Sequence, residues 1–271
     1  MCLLIVLSRV VPGFPLVVAA NRDERLDRPA EAMTVLRTAS PRTIGGRDAQ
    51  AGGTWLAVNE HGVVAGLTNR PNPAGRDPGK RSRGELPLAL TAHPTVASNV
   101  EAFVASHRPA DYNAAWLLAG DRTGLIAIDM TDEPVPVTTD LSPGVHVLEN
   151  RAYGAPSIKV DRVRQMLAGI DRVAPGEVAD RLWTVLADHE DPPDPPGADV
   201  EAERPAAVNA ACVHTDGYGT RWSGVVMVAE DLGIRPAFSF TDGAPCSSTR
   251  QDATPLWDAA TSQRALRPPV R

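Results

Sequence analysis

The sequence predicts a layered α+β sandwich with helices on its outer faces. Three observations predict it. Short β-branched runs come in pairs around tight turns, so their strands run antiparallel. Segments of helical periodicity stand between an early and a late group of strands. Strand–helix–strand winding is absent, and no Gly-rich dinucleotide fingerprint follows the first strand. The chain has 271 residues, a length at which layered folds often form one domain, and 1–271 is read as a single domain.

The elements follow in order. CLLIVLSRV (2–10) and PLVVAAN (15–21) flank Pro12-Gly13 and read as a hairpin. Both runs are apolar on both faces, which places them centrally in a sheet and holds residue 2 rigidly. The stretch NRDERLDRP is polar. TWLAVN (54–59) and VVAGLTN (63–69) form a second hairpin around Glu60-His61-Gly62. Gly45-Gly46 and Gly52-Gly53 mark tight turns or close backbone approach. Residues 71–82 are a loop. Ser82 and Glu85 have capping-box spacing, and helix is expected over about 84–91 and 94–106. AAWLLAGD and GLIAIDM pair around Asp121–Gly124, and GVHVLEN (144–150) is a further strand. IKVDRVRQMLAGI and GEVADRLWTVLAD have helical periodicity. Residues 190–205 are a proline-rich acidic loop. AACVHTD, TRWSGVVMVAE and RPAFSFTD return to strands, and 245–271 form an irregular tail.

Composition narrows the function. The net charge is -6, whereas nucleic-acid binders usually carry a basic face. The three cysteines stand at unrelated spacings and the six histidines are scattered, so neither a disulfide framework nor a metal site is expected. No run approaches the ~18 apolar residues of a membrane span. Val18-Ala19-Ala20 imitates an export cleavage site, but no positive charge precedes the first apolar run, and Arg9, Pro12 and Gly13 interrupt it. A cytoplasmic location is expected.

Cys2 is the leading candidate for chemistry. Removal of Met1 would leave one residue bearing a thiol and an α-amine of pKa ~7.7–8.0, able to serve as base for its own side chain. The hairpin returns Asn21-Arg22-Asp23-Glu24 to the neighbourhood of residue 2. Arg22 could lower the thiol pKa, and Asp23 could orient the amine. Asn69 and Asn150 end strands, where a side-chain amide can donate to an oxyanion. Arg221 opens a late strand and could add a second cation.

ANRDE at 20–24, GGRDAQAGGTW at 45–55, LTNRPNP at 67–73, SRGEL at 82–86, HVLEN at 146–150 and YGTR at 218–221 occur in this order behind a cysteine at position 2. In this the chain resembles the NRDE-motif family, also called the transport and Golgi organisation protein 2 family, over residues 1 to about 240. The resemblance implies a four-layer αββα sandwich of the N-terminal-nucleophile-hydrolase type. It implies an N-terminal-cysteine amidohydrolase or acyltransferase acting on a small amide or thioester. Catalytic roles would fall on Cys2, Arg22, Asp23, Asn69 and Asn150, and substrate contacts on Asn21, Arg47, Trp55 and Arg221. No cofactor is required. The alternative is a non-catalytic protein that binds haem or an acyl-CoA in the same pocket. Two departures stand out. In the amidases two residues separate the Arg from the Asp, whereas Arg22 and Asp23 are adjacent. Strand neighbours point to opposite faces, so both reach one pocket only where the strand ends or a bulge intervenes. Glu149 stands where the family more often has Ser.

Overall fold

The computed structural model describes residues 2–72, 75–190 and 209–258. Its first strand, β1 (Cys2–Val11), turns through Pro12-Gly13 into β2 (Phe14–Arg25), with Cys2 opposite Arg22. Gly13 has φ +77°, the left-handed backbone that this tight turn requires. Four strands continue the chain: β3 (Ala30–Arg37), β4 (Thr43–Asp48), β5 (Leu56–Asn59) and β6 (Val64–Asn69). Then come α1 (Leu86–Ala89), α2 (Val96–Ser106), β7 (Ala115–Gly120), β8 (Leu125–Met130), β9 (Val137–Leu141) and β10 (Gly144–Leu148). α3 (Ile158–Met166) and α4 (Pro175–Leu186) precede β11 (His214–Thr215), β12 (Tyr218–Val228), β13 (Ala237–Asp242) and β14 (Gln251–Asp252).

Two antiparallel sheets form. One runs β10-β1-β2-β12-β13-β14, with β11 on β12; the other runs β3 to β9 in sequence order. Three apolar layers hold the stack together. Leu4, Val6, Leu16 and Val18 fill the space between the sheets with Trp55, Leu56 and Trp222. The alternate residues Leu3, Ile5, Leu7, Val17 and Ala19 face α3 and α4. Leu67, Ala115 and Leu117 face α1 and α2. The arrangement is therefore a four-layer αββα sandwich. β1 is buried on both faces, as its unbroken apolar run requires. Each such Leu or Ile stabilises the fold by about 1.5–3 kcal/mol relative to exposure.

Some expectations need correction. The helix over 84–91 shortens to a 3-10 turn at Arg83–Glu85 followed by α1. The capping box does not form: Ser82 accepts from Gly84 N at 3.3 Å, and Glu85 turns to Arg81 and Tyr112. The NRDE stretch extends β2 to Arg25, and Gly45-Gly46 mark a close approach, not a turn: they lie inside β4, where a Cβ on Gly46 would stand 2.0 Å from the Trp55 ring. Of AACVHTD only His214–Thr215 joins a ladder. Within the tail, β14 pairs with β13, and Trp257 is buried with Nε1 donating to Pro236 O at 2.9 Å. Residues 191–205 and 259–271 lie outside the described residues. No helix among the described residues is long and apolar enough to cross a membrane.

The glycine-rich motifs meet backbone to backbone. Thr54 N donates to Gly84 O at 2.8 Å, and a Cβ on Gly53 would stand 2.4 Å from Gly84 C. Neither neighbour is a side chain that can swing aside. Gly53→Ala should therefore lower stability by about 1–3 kcal/mol, read as a lower urea midpoint at unchanged slope.

Candidate functional site

The site lies where β1 begins. Strand alternation aims Cys2, like Leu4 and Val6, into the space between the sheets, and the side chain is 7% exposed. A cavity of about 260 Å³ opens there, lined by Cys2, Arg22, Asp23, Glu24, Trp55, Asn69 and a set of further arginines.

A hydrogen-bonded relay fixes the cysteine backbone. Cys2 N donates to Asn150 Oδ1 at 2.6 Å, and Asn150 Nδ2 donates to Asn69 O at 2.6 Å. The donor at one end and the carbonyl at the other determine which way the amide points. Asn150 follows β10 in the first sheet and Asn69 ends β6 in the second, so the relay also ties the sheets together.

Arg22 is buried over Trp55, its guanidinium carbon 4.5 Å from the ring centroid, with Glu24 at 3.4 Å. Burial pushes the Arg22 guanidinium down from its ordinary value, while the facing Cys2 and Glu24 oppose this. Burial likewise pushes the Cys2 thiol up; Asp23 adds to the rise, and Arg22 works against it. Asp23 accepts from Thr220 Oγ1 at 2.6 Å, and its carbonyl accepts from Tyr218 Oη at 3.0 Å.

Adjacent Arg22 and Asp23 both line the cavity. β2 itself stays regular there; the irregularity is in β12, where Arg221 is the extra residue between Thr220, opposite Asp23, and Trp222, opposite Arg22. That bulge lets Thr220 face Asp23 while Trp222 faces the inter-sheet core. Cys2 pairs with Arg22 at the start of β1, so Asp23, still within β2 and paired with Thr220, lies one position beyond the last β1–β2 pair.

Three expected substrate contacts lie elsewhere. Asn21 points toward the helical layer, where Nδ2 donates to Leu186 O at 2.9 Å and Ala211 O at 2.7 Å and Oδ1 accepts from Ser223. Arg47 is outside the lining and leans on Glu31 and Val35 O. Arg221 straps the turn after β2 through Arg25 O and Arg28 O. Trp55 does line the cavity. Glu149 faces away, accepting from Ser157, the N-cap of α3.

Sequence reasoning missed much of the wall. Arg28 pairs with Asp48 at 2.7 Å. Burial pushes the Asp48 carboxyl up, yet Arg28 and the Ala51 and Gln50 amides hold it below its ordinary value. Arg76 and Arg83 line the opposite side and form no ion pair with a described residue. Arg83 donates to Ala114 O at 3.1 Å; burial and then neighbouring Arg76 push its guanidinium down. An adjoining cavity of about 640 Å³ shares Asn69, Arg76, Arg83 and Asn113 and adds Arg70 and Lys80. The recurrence of Arg and Lys through 70–83 was the available signal. The histidines also prove less scattered than their spacing implies: away from this site, His189 and His214 stand beside Cys212 and Cys246.

Comparison with known proteins agrees with this architecture. Penicillin V acylase from Agrobacterium tumefaciens superposes with a TM-score of 0.51 at 13% identity, covering 94% of this chain and 86% of that one. The Caenorhabditis elegans ortholog of N-acylethanolamine-hydrolyzing acid amidase gives 0.53 at 13% identity, covering 83% and 92%. These likenesses establish the N-terminal-nucleophile-hydrolase-like fold. The Transport and Golgi organization protein 2 homolog of Bos taurus is 31% identical over 240 residues, 81% of this chain and 84% of its own. The Homo sapiens homolog is 29% identical over 238 residues, 81% and 84%. The Transport and Golgi organisation 2 family model matches residues 1–235, and the chain belongs to that family.

Proposed function

We propose that this protein is an N-terminal-cysteine amidohydrolase or acyltransferase whose substrate is a small amide or thioester carrying an anionic group. The observation that carries the reading is the 2.6 Å contact between Cys2 N and Asn150 Oδ1 at the edge of the cavity. Once an aminopeptidase removes Met1, that nitrogen is an amine held beside its own thiol. The amine accepts the thiol proton and the sulfur attacks the substrate carbonyl carbon. The carbonyl π electrons move to oxygen, and the Asn69 side-chain amide is the candidate donor to it. Asn150, engaged with Cys2 and Asn69 O, acts as a positioning residue for the amine. Collapse expels the amine or thiol leaving group, which takes the proton back from the ammonium and leaves a thioester on Cys2. Water then yields the acid, or a second nucleophile takes the acyl group.

Burial raises the thiol pKa, so the free thiolate is scarce and an adjacent base is required. In protein that keeps Met1, the Cys2 nitrogen is an amide and cannot serve. Alkylation of Cys2 by iodoacetamide should then be slow and rise only above the ordinary thiol pKa of ~8.5. Trimmed protein should alkylate faster, at lower pH, and selectively over Cys212 and Cys246. Intact mass and adduct mapping check both. Retained Met1 in the natively expressed protein, or an inert Cys2 in the trimmed form, overturns the nucleophile reading.

With a substrate in hand, Asn69→Ala should lower kcat by about 10²–10³, the usual worth of one oxyanion donor. Cys2→Ala should eliminate the acyl-enzyme seen by mass spectrometry.

The arginine wall bears on the substrate. Arg83 is half buried and has no carboxylate partner among the described residues, an arrangement that favours an incoming carboxylate or phosphate. Arg83→Gln should raise KM for an anionic substrate by about 10- to 100-fold, and leave a neutral analogue nearly unaffected. The second reading, a non-catalytic carrier, draws on the same wall and on the adjoining cavity. An acyl-CoA, with phosphates for Arg76 and Arg83, suits it. Haem suits it less, since the described lining has no histidine and is rich in charged side chains. Tight ligand binding by Cys2→Ala protein, without turnover by the parent, would favour the carrier.

A further inference from the structure

His189, Cys212, His214 and Cys246 come from three separate parts of the chain and converge on one spot. His189 follows α4, Cys212 and His214 bracket the start of β11, and Cys246 lies in the turn after β13. One ligand atom from each lies within 4.8 Å of all the others. Cys212 Sγ is 3.3 Å from His214 Nε2 and 3.8 Å from Cys246 Sγ, and Cys246 Sγ is 3.4 Å from His214 Nε2. The rings of His189 and His214 are 5.0 Å apart.

These spacings have a geometric meaning. With Zn–S of about 2.3 Å and Zn–N of about 2.0–2.1 Å, tetrahedral angles put two sulfurs about 3.8 Å apart and a sulfur about 3.5 Å from a nitrogen. The sulfur–sulfur distance of 3.8 Å matches, and the two sulfur–nitrogen distances, 3.3 and 3.4 Å, lie slightly inside theirs. A disulfide would require only the two cysteines, at about 2.05 Å; it would give the two imidazoles no reason to close on the same point.

The backbone prepares the convergence. Cys212 N donates to Asp188 O at 2.8 Å, which fixes Cys212 one residue from His189. Asp188 is held in turn by two hydrogen bonds from Arg162 of α3, at 2.6 and 2.9 Å. Gly243 N donates to Arg221 O and Ser248 N to Ala244 O, both at 2.9 Å, shaping the turn that carries Cys246.

We propose that His189, Cys212, His214 and Cys246 bind one zinc ion as a closed, tetrahedral S2N2 site that clamps the end of α4, the approach to β11 and the turn after β13. Both thiols lose their protons to solvent on binding and both imidazoles are neutral, so the centre carries no net charge. Soft thiolates and imidazoles in this geometry select zinc over magnesium or calcium. Four protein ligands leave no open position, which makes the site structural. Its reach extends to the cavity. Between Cys212 and His214, Val213 N donates to Thr220 Oγ1 at 2.9 Å, and that hydroxyl donates to Asp23 Oδ1 at 2.6 Å. The clamp thus supports the residue that positions Asp23.

The test uses the full untagged chain, purified reduced without chelator. Metal analysis should find one zinc per chain. Replacement by Co²⁺ should give tetrahedral d–d bands and a thiolate-to-cobalt charge-transfer band. Cys246→Ser, at an exposed turn, should retain the fold and lose at least about 100-fold in zinc affinity, more than the loss of an outer supporting partner costs. His189→Ala should do the same if folding of the first variant is in question. Zinc removal should speed amide exchange at Val213 and Thr220 and leave β7 and β8 unchanged. Substoichiometric zinc after loading, a cobalt spectrum without the thiolate band, unchanged affinity in both variants, or a Cys212–Cys246 disulfide in freshly isolated protein would each overturn the site.

Discussion

The relay from Cys2 N through Asn150 to Asn69 O holds the site in place. A sandwich of two sheets is held mostly by non-directional apolar packing, which tolerates small sliding of one sheet on the other. A cavity at the rim of such a stack would change shape with every slide. Two hydrogen bonds of 2.6 Å, running from one sheet to the other through one amide, remove that freedom at the place where it matters. Burial of the relay raises the cost of breaking it, since each released group would be left without a partner away from water.

Charge around the relay is arranged by degree of pairing. Arg28 is fully engaged with Asp48 and Glu24 and belongs to the wall. Arg22 is shared between Glu24 and the Trp55 face, so it gives Cys2 a cationic neighbour without leaving the core. Arg83 and Arg76 face across the cavity with no described acid to meet them. The arginines without a described acid give the cavity a cationic wall that an anionic ligand would follow.

Much of this was legible in the sequence. The first hairpin, its burial on both faces and its return of NRDE to residue 2 follow from apolar runs around Pro12-Gly13, because strand pairing there is local. Asn69 at the end of β6 was equally readable, whereas Asn150 stands two residues past β10. What could not be read was direction. Asn21, Arg47 and Arg221 sit in the expected motifs but point elsewhere, since one residue of register decides the face. For Arg221 the cause is a bulge in β12 that no local pattern announces. Arg83 reaches the cavity from a 3-10 turn whose Gly84 packs backbone to backbone on Gly53, a tertiary contact. The histidine and cysteine cluster was invisible for the same reason: its members come from separate segments, Cys212 and Cys246 being 34 residues apart, and meet only in the folded chain.

The span of the relay sets an order of events during synthesis. Cys2 and Asn150 are 148 residues apart. At about 5–20 residues per second, the ribosome needs roughly 7–30 s to make that stretch. Until then the chain's first residues have no Asn150 to bind and no completed sheet to enter. An aminopeptidase acting within that interval would meet a chain start that no finished sheet yet covers.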